Sequence, residues 1–140
     1  MCMKRLKLIT DILAAAGMLT AIVTGFVLHN EIHHLHVYHD VLVWTIHEVA
    51  GLLMTALVAV HCVQHKAWFK NYGRISMRRK HASTLFLVAL GVILVTGLML
   101  MFGSRSHFVS LLHYVLGILA TLMMIAHILR RWRLLRGLMG

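Results

Sequence analysis

Four histidines recur in this 140-residue chain at spacings that suit metal ligation. His47 and His61 stand fourteen residues apart with Gly51 four positions after the first, and His113, Gly117 and His127 repeat the arrangement offset for offset. Both stretches read H-x3-G-x9-H. On an α-helix fourteen residues advance about 1400°, roughly 40° short of four turns, so both imidazoles leave from one face about 21 Å apart. In a left-handed bundle wound at 3.5 residues per turn, fourteen residues are two heptads and the match tightens. If the two helices run the same way, His47 lies level with His113 and His61 with His127. Two such pairs suit two six-coordinate haem irons, each taking one imidazole nitrogen from either side of the porphyrin. Zinc would need three or four protein ligands at each height, and no Cys, Asp or Glu repeats there.

The elements that must position these residues are membrane spans. The chain is 60% hydrophobic and lacks proline, with a mean hydropathy of +0.82. That is more apolar surface than one small core can bury. Four apolar runs, about 8–28, 41–63, 82–102 and 108–129, each approach the ~20 residues that cross a bilayer core. Helices are the form that satisfies the backbone there, so the expected fold is an all-α membrane protein. The net charge of +10 follows topology, not nucleic acid. Of fourteen Lys and Arg residues, all but Arg105 fall before the first run, between the second and third, or after the fourth. This positive-inside pattern puts both termini and segment 64–81 in the cytoplasm, with 29–40 and 103–107 outside. Location in a bacterial or archaeal cytoplasmic membrane is expected. Cys2 and Cys62 read as free thiols. The basic start and Ala14-Ala15-Ala16 resemble a signal peptide, but Thr24-Gly25 ending the first run has a counterpart in Thr96-Gly97 ending the third. The first run therefore reads as a permanent helix.

Each half is thus a helix ending in T-G, an outer connection, and a helix carrying H-x3-G-x9-H. Two helical hairpins packed as a four-helix bundle follow. Glycines Gly25, Gly51, Gly97 and Gly117 are expected at close helix contacts and at the edge of a macrocycle, with the pair Gly51 and Gly117 the better case for the latter. Haem propionates need donors, for which Arg105, with His107, is the outer candidate. Glu48 beside His47, and Asp11 near the inner level, could take protons from a quinol. His65 lies one turn beyond His61 and could replace it, but its equivalent in the second half is Arg131. His29, His33, His34, His36 and His39 form a His-rich outer segment suited to metal binding, docking or simple solvation.

The H-x13-H spacing on two helices resembles the haem-bearing core of respiratory cytochrome b. The fuller pattern of four spans, T-G, H-x3-G-x9-H, and Trp68 or Trp132 soon after the inner histidine is similar to the compact flavinylation-associated cytochrome family, over nearly the whole chain. That resemblance implies that His47, His61, His113 and His127 are axial ligands of two b haems. It also implies electron relay through the membrane to or from extracytoplasmic flavin-bearing or other redox partners. The protein is expected to be the membrane subunit of a redox complex, and exchange with a quinone pool, by quinol oxidation or quinone reduction, is the further option that Glu48 and Asp11 open. The His-rich outer segment departs from the family pattern. The rival reading is a membrane metal-ion transporter or metal-binding protein using the same histidines, although broken helices and intramembrane acids, usual at transport sites, are not evident.

Overall fold

The computed structural model describes residues 2–34, 41–74, 76–103 and 106–139. Its elements are α1 (Cys2–His34), α2 (Val41–Gln64), α3 (Lys66–Lys70), a 3₁₀ turn (Tyr72–Arg74), α4 (Met77–Met101) and α5 (His107–Met139). Four stretches are long and apolar enough to cross a membrane: Arg5–Asn30, Val41–Gln64, Lys80–Met101 and His107–Arg130. They agree closely with the runs read from the sequence. Segment 29–40, expected to be an outer loop, is corrected in part, because α1 continues through His34. His29 is therefore a helical residue. His36, His39 and Arg105 lie outside the described residues. The cytoplasm-assigned segment 64–81 is also more structured than a loop, since α3, the 3₁₀ turn and the start of α4 together occupy most of it.

The helices pair as two hairpins, α1 on α2 and α4 on α5, and lighter contacts of α1 with α5 and α2 with α4 close the ring. In this order α2 and α5, the two helices that carry H-x3-G-x9-H, take opposite corners. The turn into α5 uses Gly103 at φ +92°, a conformation that a side chain would strain. Its N–H bonds the Leu100 carbonyl at 3.1 Å, capping α4.

The buried core is a thin layer of Met18, Met54, Leu90 and Ala120. Met54 lies seven residues from both His47 and His61, so this layer separates the two histidine levels. It obeys the repeat as well. Adding 72 carries Met18 to Leu90, as it carries Gly25 to Gly97, and adding 66 carries Met54 to Ala120, as it carries His47 to His113. Most large side chains face outward instead, Val41 being 75% exposed, Phe108 71% and Val63 70%. Burying one such side chain is worth roughly 1.5–3 kcal/mol relative to water. A surface of this kind is stable only against lipid, and the chain is an integral membrane protein.

Candidate cofactor site

His47 and His113 face each other from opposite corners of the bundle, with ring centroids 6.0 Å apart and planes at 76°. Both rings are held from the same side and in the same way. His47 Nδ1 donates to the Ala21 carbonyl at 3.0 Å and stands 3.1 Å from Thr24 Oγ1. His113 Nδ1 donates to the Ile93 carbonyl at 3.1 Å and stands 3.1 Å from Thr96 Oγ1. Each threonine hydroxyl in turn donates into its own helix, Thr24 to the Thr20 carbonyl at 2.7 Å and Thr96 to the Val92 carbonyl at 2.8 Å. A carbonyl only accepts, so the ring proton is assigned to Nδ1, and Nε2 is the nitrogen that carries the lone pair. Two preoriented imidazoles, each with its lone pair on Nε2, are the result.

The T-G pairs now have a cause. A Cβ at Gly25 would lie 2.9 Å from His47 Cε1, and one at Gly97 would lie 3.0 Å from His113 Cε1. Only glycine lets the imidazole close far enough onto α1 or α4 to reach the carbonyl. Threonine and glycine thus act together, one supplying polar contact and the other clearance. These two glycines serve the histidines directly, a role distinct from the macrocycle edge expected for them.

Gly51 and Gly117 behave differently. A Cβ at either meets nothing within 4 Å, yet both line a cavity of about 510 Å³ that also includes His47, His113, Gly25 and Gly97. The missing side chains therefore leave room in the cavity. Its volume lies within the ~300–1,000 Å³ typical of cofactor and ligand sites. Thr55 and Thr121 also line it and bond back to the carbonyls of Gly51 and Gly117, each at 2.8 Å. Sequence reasoning missed these two residues. The signal was present, because the repeat extends to H-x3-G-x3-T-x5-H in both halves.

The cavity's outer portion is lined by Trp44, Glu48, His29, His107 and Tyr114. Trp44 Nε1 donates to Glu48 Oε1 at 2.7 Å, so the carboxylate considered for proton transfer is already engaged with its neighbour one turn away. His29 stacks on Tyr114 with centroids 3.7 Å apart and planes at 8°, joining α1 to α5. One histidine of the His-rich segment thus belongs to the rim of this cavity.

The inner level is built otherwise. His61 Nδ1 lies 2.7 Å from Asp11 Oδ1, with side chains 30% and 21% exposed. Its ring also lies 4.6 Å from that of His65, tilted by 37°. His127 is exposed on α5. Among the described residues no three His, Cys, Asp or Glu side chains gather in a way that could hold a metal ion unaided. No protein-family model, curated protein or solved structure matches the chain.

Proposed function

We propose that this protein is a transmembrane electron carrier that binds haem b between α2 and α5, with His47 and His113 as the axial ligands at the outer level. The observation that carries this reading is the facing pair itself. A metal–imidazole bond of about 2 Å on each side, plus about 1 Å from ring nitrogen to ring centre, adds up to about 6 Å between centroids, and the observed separation is 6.0 Å. Two protein nitrogens alone make a poor metal site, but they are the complement that a haem iron lacks. The cavity beside them supplies space for a flat group, and Gly51 and Gly117 supply clearance along its walls.

In this scheme the chain's residues hold and tune. Ala21, Ile93, Thr24 and Thr96 fix ring orientation and tautomer, Gly25 and Gly97 permit the approach, and the methionine-containing layer below excludes water. A bound haem supplies one-electron redox chemistry. His61 and His127, on the same helix faces about 21 Å further along, are the proposed ligands of a second haem. Electrons would then cross most of the membrane within one chain. In this reading the protein acts as the membrane subunit of a redox complex, exchanging electrons with a quinone pool or an extracytoplasmic flavin or haem protein. The charge distribution supports termini on the cytoplasmic side.

The test is the absorption spectrum of the purified protein with a haem assay. The reading predicts a reducible low-spin haem at two per chain, falling to one in both His47→Ala and His113→Ala. A protein purified without porphyrin from haem-replete cells would overturn it, and bound metal without porphyrin would favour metal transport.

A further inference from the structure

The connection between the two hairpins forms a second hollow, at the end of the bundle away from His47 and His113. It is an open groove of about 490 Å³ lined by Trp68 and Phe69 of α3, Tyr72 of the 3₁₀ turn, and Thr84, Leu87 and Val88 of α4. Trp68 stands edge-on to Phe69 and to Tyr72, with ring centroids 5.0 and 5.3 Å apart. The Tyr72 hydroxyl lies 2.8 Å from Thr84 Oγ1, which pins the turn to α4. Lys80, one helical turn before Thr84, donates from Nζ to the Gly73 carbonyl at 3.2 Å and lies over the Tyr72 ring, 5.1 Å from its centre. The connection is thus folded back against α4, while Val88 stays 58% exposed on the outside of the bundle.

A groove so placed crosses the boundary between headgroups and acyl chains. Lys80, Thr84, Leu87 and Val88 share one face of α4 by helical spacing, and the eight residues from Lys80 to Val88 advance about 12 Å. Lys80 is also the first residue of a stretch long and apolar enough to cross a membrane. Its end of the groove is basic, because residues 65–81 include six Lys and Arg and no Asp or Glu, and Lys66, Lys70 and Arg74 are exposed. An ammonium has three N–H donors; the Gly73 carbonyl takes one from Lys80, and two are left for an anion. The other end is aromatic and aliphatic.

We propose that this groove binds one anionic phospholipid, with the phosphate at Lys80 and an acyl chain lying between the aromatic walls of Trp68 and Tyr72 and the α4 residues Leu87 and Val88. The pairing of ends is what selects the occupant. A soluble anion would leave the apolar length of the groove unfilled, and a lipid without net charge would not satisfy the basic end. Interfacial aromatic residues alone need no particular headgroup, but here they are assembled around a fixed cation. A bound lipid would hold the connection against α4 and so fasten the first hairpin to the second. The proposal does not depend on the haem reading, since the groove shares no lining residue with the histidine cavity.

Native mass spectrometry of the delipidated full-length protein in detergent, titrated with dioleoylphosphatidylglycerol or dioleoylphosphatidylcholine, tests this. One phosphatidylglycerol per chain should bind first, with phosphatidylcholine at least about fivefold weaker, the worth of one basic residue at an anionic surface. Lys80→Gln should erase that preference. Arg5→Gln makes the same charge change at an exposed position of α1, the helix diagonal to α4, and should retain it. Val88→Trp fills the groove from an exposed position and should weaken both lipids. Equal binding of the two lipids by the wild type overturns the proposal, as does equal loss in Lys80→Gln and Arg5→Gln, which would mean diffuse attraction without a site. Displacement of the bound lipid by polyglutamate, marking a face for an acidic protein, also overturns it. If Lys80→Gln does not accumulate, Val88→Trp decides the matter, and wild-type affinity for phosphatidylglycerol in that variant overturns the proposal.

Discussion

Replacing Gly25 by alanine puts a methyl group where the structure has clearance for one imidazole edge. The new Cβ would sit 2.9 Å from His47 Cε1, against an ordinary contact that begins near 3.4 Å, so the ring must withdraw by at least about half an ångström. His47 Nδ1 is 3.0 Å from the Ala21 carbonyl, and a shift of that size carries the bond to about 3.5 Å, where it ceases to count as one. Overpacking costs typically about 1–3 kcal/mol, partly offset by the ~1 kcal/mol that alanine gains over glycine in a helix. The larger effect falls on the ligand, since loss of an outer-shell contact typically weakens metal affinity about 10–100-fold. Gly97→Ala should act alike on His113, at 3.0 Å. The assay is haem titration of the haem-free protein in detergent, with helicity monitored by circular dichroism to show that the bundle persists. Gly51→Ala and Gly117→Ala are the contrast, because beyond the helix's own backbone and the flanking residues nothing lies within 4 Å of either added Cβ. They should leave the haem-free protein at least as stable as wild type while reducing haem uptake. If Gly25→Ala and Gly97→Ala bind haem with wild-type affinity and spectrum, the link from T-G to imidazole to cofactor is wrong.

Further outcomes follow from the same geometry. Thr24→Val and Thr96→Val keep the shape but remove the hydroxyl 3.1 Å from each Nδ1; each should cost about 1 kcal/mol of stability, read from thermal unfolding, and the pair should shift the haem absorption bands. Thr121→Leu extends an apolar side chain into the cavity and should block uptake at the outer level while preserving the fold, seen as one haem per chain in place of two. Trp44→Phe deletes the donor 2.7 Å from Glu48 and should leave haem content unchanged while altering quinol-driven reduction if Glu48 takes part in it. Single cysteines at Ser106 and Lys70, in a chain whose own cysteines are replaced by serine, should label from opposite sides of sealed vesicles. Labelling from one side would refute the topology.

Why some of this was readable in the sequence and some was not comes down to the range of each interaction. Span lengths and helical form depend on local hydropathy and backbone satisfaction, so the four runs agree to within a few residues with the stretches able to cross a membrane, while α5 runs on to Met139 and α1 to His34. There the polar His29–His34 gave no apolar signal, yet α1 continues, and His29 packs on Tyr114 of α5. The facing of His47 and His113 was also legible, because spacing and direction fix height and face. The purpose of Thr24-Gly25 was not, since an exact repeat shows that a pair of residues matters without showing what it touches. Asp11 was legible as an acid near the inner level, but its contact with His61 depends on the rotation of α1 about its own axis, which no spacing encodes. The outer and inner levels look equivalent as H-x13-H, and only the packed helices distinguish a neutral cradle from a carboxylate one.

The central claim is tested most directly by locating iron in an experimental structure of the purified protein, using anomalous scattering at the iron edge. Iron within about 2 Å of both His47 Nε2 and His113 Nε2, with porphyrin density against Gly51 and Gly117, is the expected result. Iron bound by other residues, or side chains alone filling the space between α2 and α5, would contradict the account.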